Sequence, residues 1–120
     1  MATPNIVSVA TINAFCVNGA VTTSNQDVVD VAAEYVYKIN NIIIANIDGT
    51  NSATVTAEVS IDNGSTFFAI ASTVAVPADA TLMLIDKNTS FYLDETDQLK
   101  LTASANGDLT YLVSCEMITD

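Results

Sequence analysis

Carboxylates are the plentiful reactive groups in this chain: fourteen Asp and Glu stand against three Lys, no Arg and no His. Their densest cluster is Asp94, Glu95 and Asp97. Paired acids hydrolyse glycosides when they face each other across a cleft and one has a raised pKa. Three acids in one polar turn are instead solvated and ionised, and no aromatic-lined platform accompanies them. Hard cations take loop oxygens, which makes Asp48, Asn51, Asp62, Asn63, Asp94 and Asp97 the calcium candidates. No twelve-residue calcium loop is present, however, and turn-forming Asp and Asn explain the same positions without an ion. Ser and Thr lack an activating base, since there is no His and no nearby Lys. Cys16 and Cys115 lack an electropositive setting and read as core residues. Two cysteines are too few for a disulfide scaffold, and a cytosolic product keeps them reduced. If the first and last strands are neighbours, the two thiols would still come within bonding distance. The expectation is a protein without catalytic residues, metal or cofactor, and therefore not an enzyme.

The formal net charge is −11, and the only cations are Lys38, Lys87 and Lys100. Three scattered lysines cannot hold a phosphate backbone, which argues against a nucleic-acid partner. So negative a field keeps copies apart and favours a partner surface that offers positive or hydrogen-bonding groups, though it also serves plain solubility. The start, Met-Ala-Thr-Pro, is neither basic nor apolar, and no run approaches the ~20 apolar residues that span a bilayer. We expect synthesis in the cytoplasm and no membrane. At 120 residues the chain is long enough for one core and too short for two ordinary domains.

Half the residues are apolar and β-branched types are frequent, a composition that favours sheets over helices. Ile42-Ile43-Ile44-Ala45 does not alternate, which predicts a central strand covered on both faces. From Ala53 to Ile61, Val55, Ala57, Val59 and Ile61 alternate with Thr54, Thr56, Glu58 and Ser60, predicting one dry and one wet face. Ile42, Ile43, Ile44, Val55 and Val59 are the expected core. The polar turn Asp48-Gly49-Thr50-Asn51-Ser52 joins these strands and is the part of the hairpin freest to touch a partner. Ahead of them, Ile6 to Val17 reads as a strand ending in a tight turn at Asn18-Gly19, with a return strand from Val21 to Ser24. Between Asp27 and Val36 the spacing of Val28, Val31, Ala32 and Tyr35 fits a helix, with Ser24 and Asp27 imitating a capping box. We favour a strand at Val28 to Val31, a corner at Ala32-Ala33-Glu34 and a new strand from Tyr35.

Beyond the hairpin, Asp62-Asn63-Gly64-Ser65 turns the chain into Thr66 to Ile70, Val74-Ala75-Val76 ends at Pro77, and further strands cover Thr81 to Asp86 and Phe91 to Leu93. Leu99 to Ala105 and Leu109 to Ile118 close the chain across Asn106-Gly107-Asp108. Eight or nine short strands make an all-β, antiparallel sandwich or jelly roll in one domain, 1–120. Such a sandwich exposes edges that self-assembly or a partner would cover. Tyr35, Tyr37, Tyr92 and Tyr111 with Phe67, Phe68 and Phe91 offer a rival reading, a carbohydrate-binding module, although strand aromatics usually serve the core.

From about Asp27 to the C-terminus the sequence resembles a widespread type of small β-sandwich protein of tailed-bacteriophage virions, especially marine and cyanobacterial phages. The shared features are Ile42-Ile43-Ile44 leading to Ala45-Asn46, the Thr54-Val55-Thr56 strand, Val76-Pro77-Ala78 leading to Leu82, Tyr92-Leu93 followed by Asp97 and Leu99, and Val113-Ser114. Ala32-Ala33-Glu34 departs from a Pro-Ala-Gly corner, and Glu95-Thr96 stands where Ala-Gly often precedes the Asp. Residues 1–25 have no counterpart and read as an added strand or an assembly arm. The resemblance implies a structural virion component with no catalytic residue. Within that class it favours a capsid decoration, or cement, protein that contacts the major capsid protein and forms a homo-oligomer, with a trimer favoured. A neck or tail component is the nearest rival.

Overall fold

The computed structural model describes residues 11–119, which form nine strands and no helix. They are β1 (Thr11–Val21), β2 (Gln26–Asp30), β3 (Val36–Asn46), β4 (Ala53–Ser60), β5 (Phe68–Val76), β6 (Thr81–Ile85), β7 (Phe91–Leu93), β8 (Gln98–Ala103) and β9 (Leu109–Thr119). One sheet runs β1-β9-β3-β6, with β7 also on β3, and the other runs β2-β8-β4-β5. All the pairings are antiparallel, and the two sheets make a β-sandwich.

The strands form where period-two alternation lets one face bury its side chains. Ile39, Ile42 and Ile44 of β3 and Val113 and Cys115 of β9 meet Val55 and Ala57 of β4 and Leu99 and Leu101 of β8 in one core. Between Asp27 and Val36 the backbone takes the strand, corner, strand course, with the corner held by the Tyr35 N–H donating to Ala32 O at 3.3 Å. The β-branched residues there have facing strands to pair with, whereas a helix would have left that sheet edge open. The turn at Asn63-Gly64 and that at Gly107 use the left-handed backbone expected of such sequences, with φ of 59°, 83° and 85°.

Several expectations are corrected. Asn18-Gly19 is not a turn: β1 runs straight through it, with Asn18 opposite Leu112 and Gly19 opposite Tyr111. Glycine serves there for closeness, since a Cβ would sit 3.3 Å from the Tyr111 ring. Val21 accordingly ends β1, and no return strand follows to Ser24. Ile43 and Val59 are only half-buried, because β3 alternates like an ordinary strand and the second sheet covers one of its faces. Ile61 lies beyond β4, 78% exposed in the turn. The segments expected as two strands, Thr66 to Ile70 and Val74 to Val76, are one strand, β5, with register shifts against β4 and a left-handed Thr73. The Ile6 to Ala10 part of the expected first strand, and the first ten residues of the suggested arm, fall outside the described residues, while the rest of that segment is β1 and the loop after it.

Candidate functional site

The acids of the turn 94–97 act on the backbone. Asp97 is buried, and its Oδ2 accepts the Asp94 N–H at 2.8 Å. The Val31 N–H donates to Asp97 O at 3.0 Å, and Glu95 Oε2 accepts the Glu34 N–H at 2.8 Å. This turn therefore staples the corner between β2 and β3. Burial raises the Asp97 carboxyl above its usual range, opposed by the Asp94 N–H and reinforced by the charge of Asp94. A raised folded-state pKa means that the charged group costs stability above that value, and that this stability is regained as pH falls through it. Asp97→Asn, which keeps an acceptor and removes the charge, is expected to leave Tm at pH 7 unchanged or higher. Asp97→Ala leaves the Asp94 N–H unpaired and should cost about 1–2 kcal/mol. Thermal melts of the two variants at pH 7 check the pair.

The six calcium candidates fall in three separate turns and make no common site. Asp48 Oδ1 accepts the N–H of Thr50 and Asn51 at 2.8 and 3.1 Å. Asp62 Oδ1 accepts the Thr66 N–H and the Ser60 hydroxyl, both at 2.8 Å. These bonds hold the Asp48 and Asp62 carboxyls below their usual range, the Thr50 and Thr66 N–H groups contributing most. Among the described residues no group of three or more acidic, Cys or His side chains is placed to hold a metal.

Cys115 is buried, which pushes its thiol up to about 11, but Cys16 is exposed, not in the core. The first and last described strands are indeed neighbours, yet both thiols are free. Cys115 lies opposite Phe15, and Cys16 opposite Ser114. Adjacent positions on a strand face opposite sides of the sheet, so one thiol points into the core and the other out.

The aromatics are dispersed. Phe15, Tyr35 and Tyr37 stack edge to face at 5.3 and 6.2 Å against the core, and Tyr111 and Phe91 also pack on it. Lys100 Nζ caps Phe67, 4.1 Å from its ring centre. Phe68 and Tyr92 are exposed, but on different sheets, so the described residues present no stacking platform for a sugar.

The turn Asp48 to Ser52 lies at one end of the sandwich, bounded by the Asp79 N–H donating to Asp48 O and the Ile47 N–H donating to Asp108 O. Asn46 anchors it from within. That side chain is buried, donates to Asn51 O at 3.0 Å and Val76 O at 2.9 Å, and accepts the Asp48 N–H at 2.9 Å. Burial raises the Asp108 carboxyl, and its hydrogen bond with Asp48 and the charge of Asp48 add to the shift, so two acids lie beside each other at this end.

The outward face of the β1-β9-β3-β6 sheet is the feature that the sequence left unannounced. In register across it lie Asn18, Leu112, Ile43 and Met83, with Ala20, Thr110, Ala45 and Thr81 beside them and Cys16, Ser114 and Asn41 on the other flank. None of these residues is charged, in a chain of net charge −11, and the patch ends where Lys38 and Glu116 stand opposite each other in the next row of the same face. A shallow open hollow of about 430 Å³ lies there, lined by Asn18, Ile43, Ala45, Thr110 and Leu112 among others. Reading Asn18-Gly19 as a turn hid this face, because the register of β1 on β9 creates it. Among the described residues no helix is long and apolar enough to cross a membrane.

No family model matches the sequence, and no curated protein does. Among solved structures, the chain is similar to a protein of Bacillus endospore appendages, described as a novel family of disulfide-linked pili, with a TM-score of 0.52 and 12% identity over 92% of this chain and 88% of that one. A second similarity, to a pentameric capsid protein from metagenomic phage sequences, has a TM-score of 0.41 and 13% identity and spans 84% of this chain and 59% of that one. At such identities the first likeness shows a shared β-sandwich fold, and the second carries no weight.

Proposed function

We propose that this chain is a non-enzymatic structural subunit that works by contact, and specifically a capsid decoration protein on a tailed-phage virion. The observation that carries the reading is the charge-free part of the outward face of the β1-β9-β3-β6 sheet, from Cys16, Ser114 and Asn41 to Ala20, Thr110, Ala45 and Thr81. An acidic protein that keeps an apolar-lined part of one face free of charge has a surface suited to burial against another protein. The sequence resemblance from Asp27 onward supplies the partner, the major capsid protein. The fold shared with a pilus protein agrees with a building-block role. The acidic end, Asp48, Gly49, Thr50, Asn51 and Ser52, is the second contact, aimed at basic or hydrogen-bonding groups. Many modest contacts repeated over a symmetric shell sum to a large stabilisation, and the trimer that the resemblance favours would multiply them.

The test is a count. Quantitative mass spectrometry of virions carrying this chain should find on the order of hundreds of copies, as shell symmetry requires, and about a dozen or fewer would assign it to the neck or tail. Replacing residues 49–51 with Gly-Ser-Gly should weaken attachment to capsids while leaving the melting temperature of the free protein nearly unchanged. Unaltered attachment would remove that turn from the contact.

A further inference from the structure

Among the described residues, the sandwich has four free sheet edges, and three are guarded. β2 carries Asp27 and Asp30 and a register shift. β5 is broken by two register shifts and the left-handed Thr73. The edge opposite β1 in its own sheet is divided between β6, five residues long, and β7, three residues long. Short strands, bulges and charges are the usual means of preventing edge-to-edge pairing. β1 has none of them. It runs eleven residues with no charge, no proline and no register shift against β9.

We infer that β1 is a self-association edge, on which β1 of a second copy of this chain docks antiparallel about a twofold axis through Cys16. A second copy fits because the strand is its own complement. Cys16 is the midpoint of Thr11–Val21, so full overlap places it opposite itself and Phe15 opposite the partner's Val17 on the core-facing side. Aromatic and β-branched residues are favourable cross-strand pairs, and this pair occurs twice. No charge meets a like charge along the whole overlap, which is uncommon in a chain of net charge −11. About ten backbone hydrogen bonds would form across eleven residue pairs. This inference stands apart from the capsid assignment, and a twofold dimer would replace the trimer as the free species.

The exposed Cys16 thiol provides the readout, because Cys115 is buried and its thiol is pushed up to about 11. Directly opposed strand residues have Cα atoms about 4.5–5.5 Å apart, within the about 4.4–6.8 Å that a disulfide spans. Light scattering of the full chain should give twice its 12.6 kDa mass. Diamide, which takes up the two hydrogens of the thiols as it is reduced, should convert that dimer to a covalent one, and Cys16→Ser should prevent the bond while preserving the dimer. In the Cys16→Ser background, Asn18→Cys alone should crosslink poorly, because its own copies sit roughly 13 Å apart along the strands. Mixed with an Ala14→Cys chain it should crosslink well. Cys16→Lys, which opposes like charges on the axis, should yield a folded monomer by circular dichroism and mass. A monomeric parent protein, a dimer that survives Cys16→Lys, or crosslinking independent of position would each overturn the inference.

Discussion

Ile42→Ala is expected to cost about 3–4 kcal/mol of folding stability, while Ile43→Ala one residue away costs less than about 1.5 kcal/mol. The side chains are chemically identical and adjacent. Ile42 is fully buried opposite Val113, facing the second sheet. Its truncation loses transfer free energy and leaves a cavity that a core of Ile, Leu and Val on two sheets cannot close by itself. Ile43 lies opposite Leu112 and Met83 on the outward face, where water can fill the space. Urea unfolding of both variants, followed by circular dichroism, separates them. Equal losses would mean that the outward face is covered as fully as the core, which the burial of β3 contradicts.

Asn46→Ala is expected to cost about 2–4 kcal/mol, more than its size suggests, because it strips a donor from the buried Val76 carbonyl and an acceptor from the Asp48 N–H. Asn46→Asp should be worse at pH 7. A carboxylate there faces the carbonyls of Asn51 and Val76, to which the amide donates. Protonation relieves that repulsion, so the folded-state pKa of the new carboxyl is raised and stability returns as pH falls through it. The wild type has the opposite sign at Asp48, whose lowered pKa adds stability above the usual carboxylate range that is lost as pH falls through the folded value. Melting curves from pH 7 to pH 4 should therefore rise for Asn46→Asp relative to the wild type. Parallel curves would show that the Asn46 amide does not hold the loop.

Local chemistry made most of the strands legible. The alternation of Ala53 to Ser60, the turns at Asn63-Gly64 and Asn106-Gly107 and the stop at Pro77 each depend on neighbouring residues alone, and each recurs in the structure. Asn18-Gly19 is locally ambiguous, because the same dipeptide suits a tight turn and a close strand-strand approach. Tyr111, ninety-two positions away, decides between them by occupying the space that a side chain at position 19 would need. Candidate contacts divide in the same way. The turn Asp48 to Ser52 could be found from its polar residues, whereas the outward face could not, because its members come from four strands distant in the sequence.

The amino-acid sequence by itself determined an all-β chain, an apolar core drawn from alternating strands, and a strongly acidic balance with no His or Arg, since these depend on composition and period-two patterning. Only the tertiary structure decided which face each strand turns inward, that Cys16 and Cys115 face opposite sides of one sheet, and that, among the described residues, β1 is a long uncharged edge bordering a patch without charge. The physical reason is register. A strand's side chains alternate, so its pairing partner and its offset by a single residue decide what meets the core and what meets another molecule.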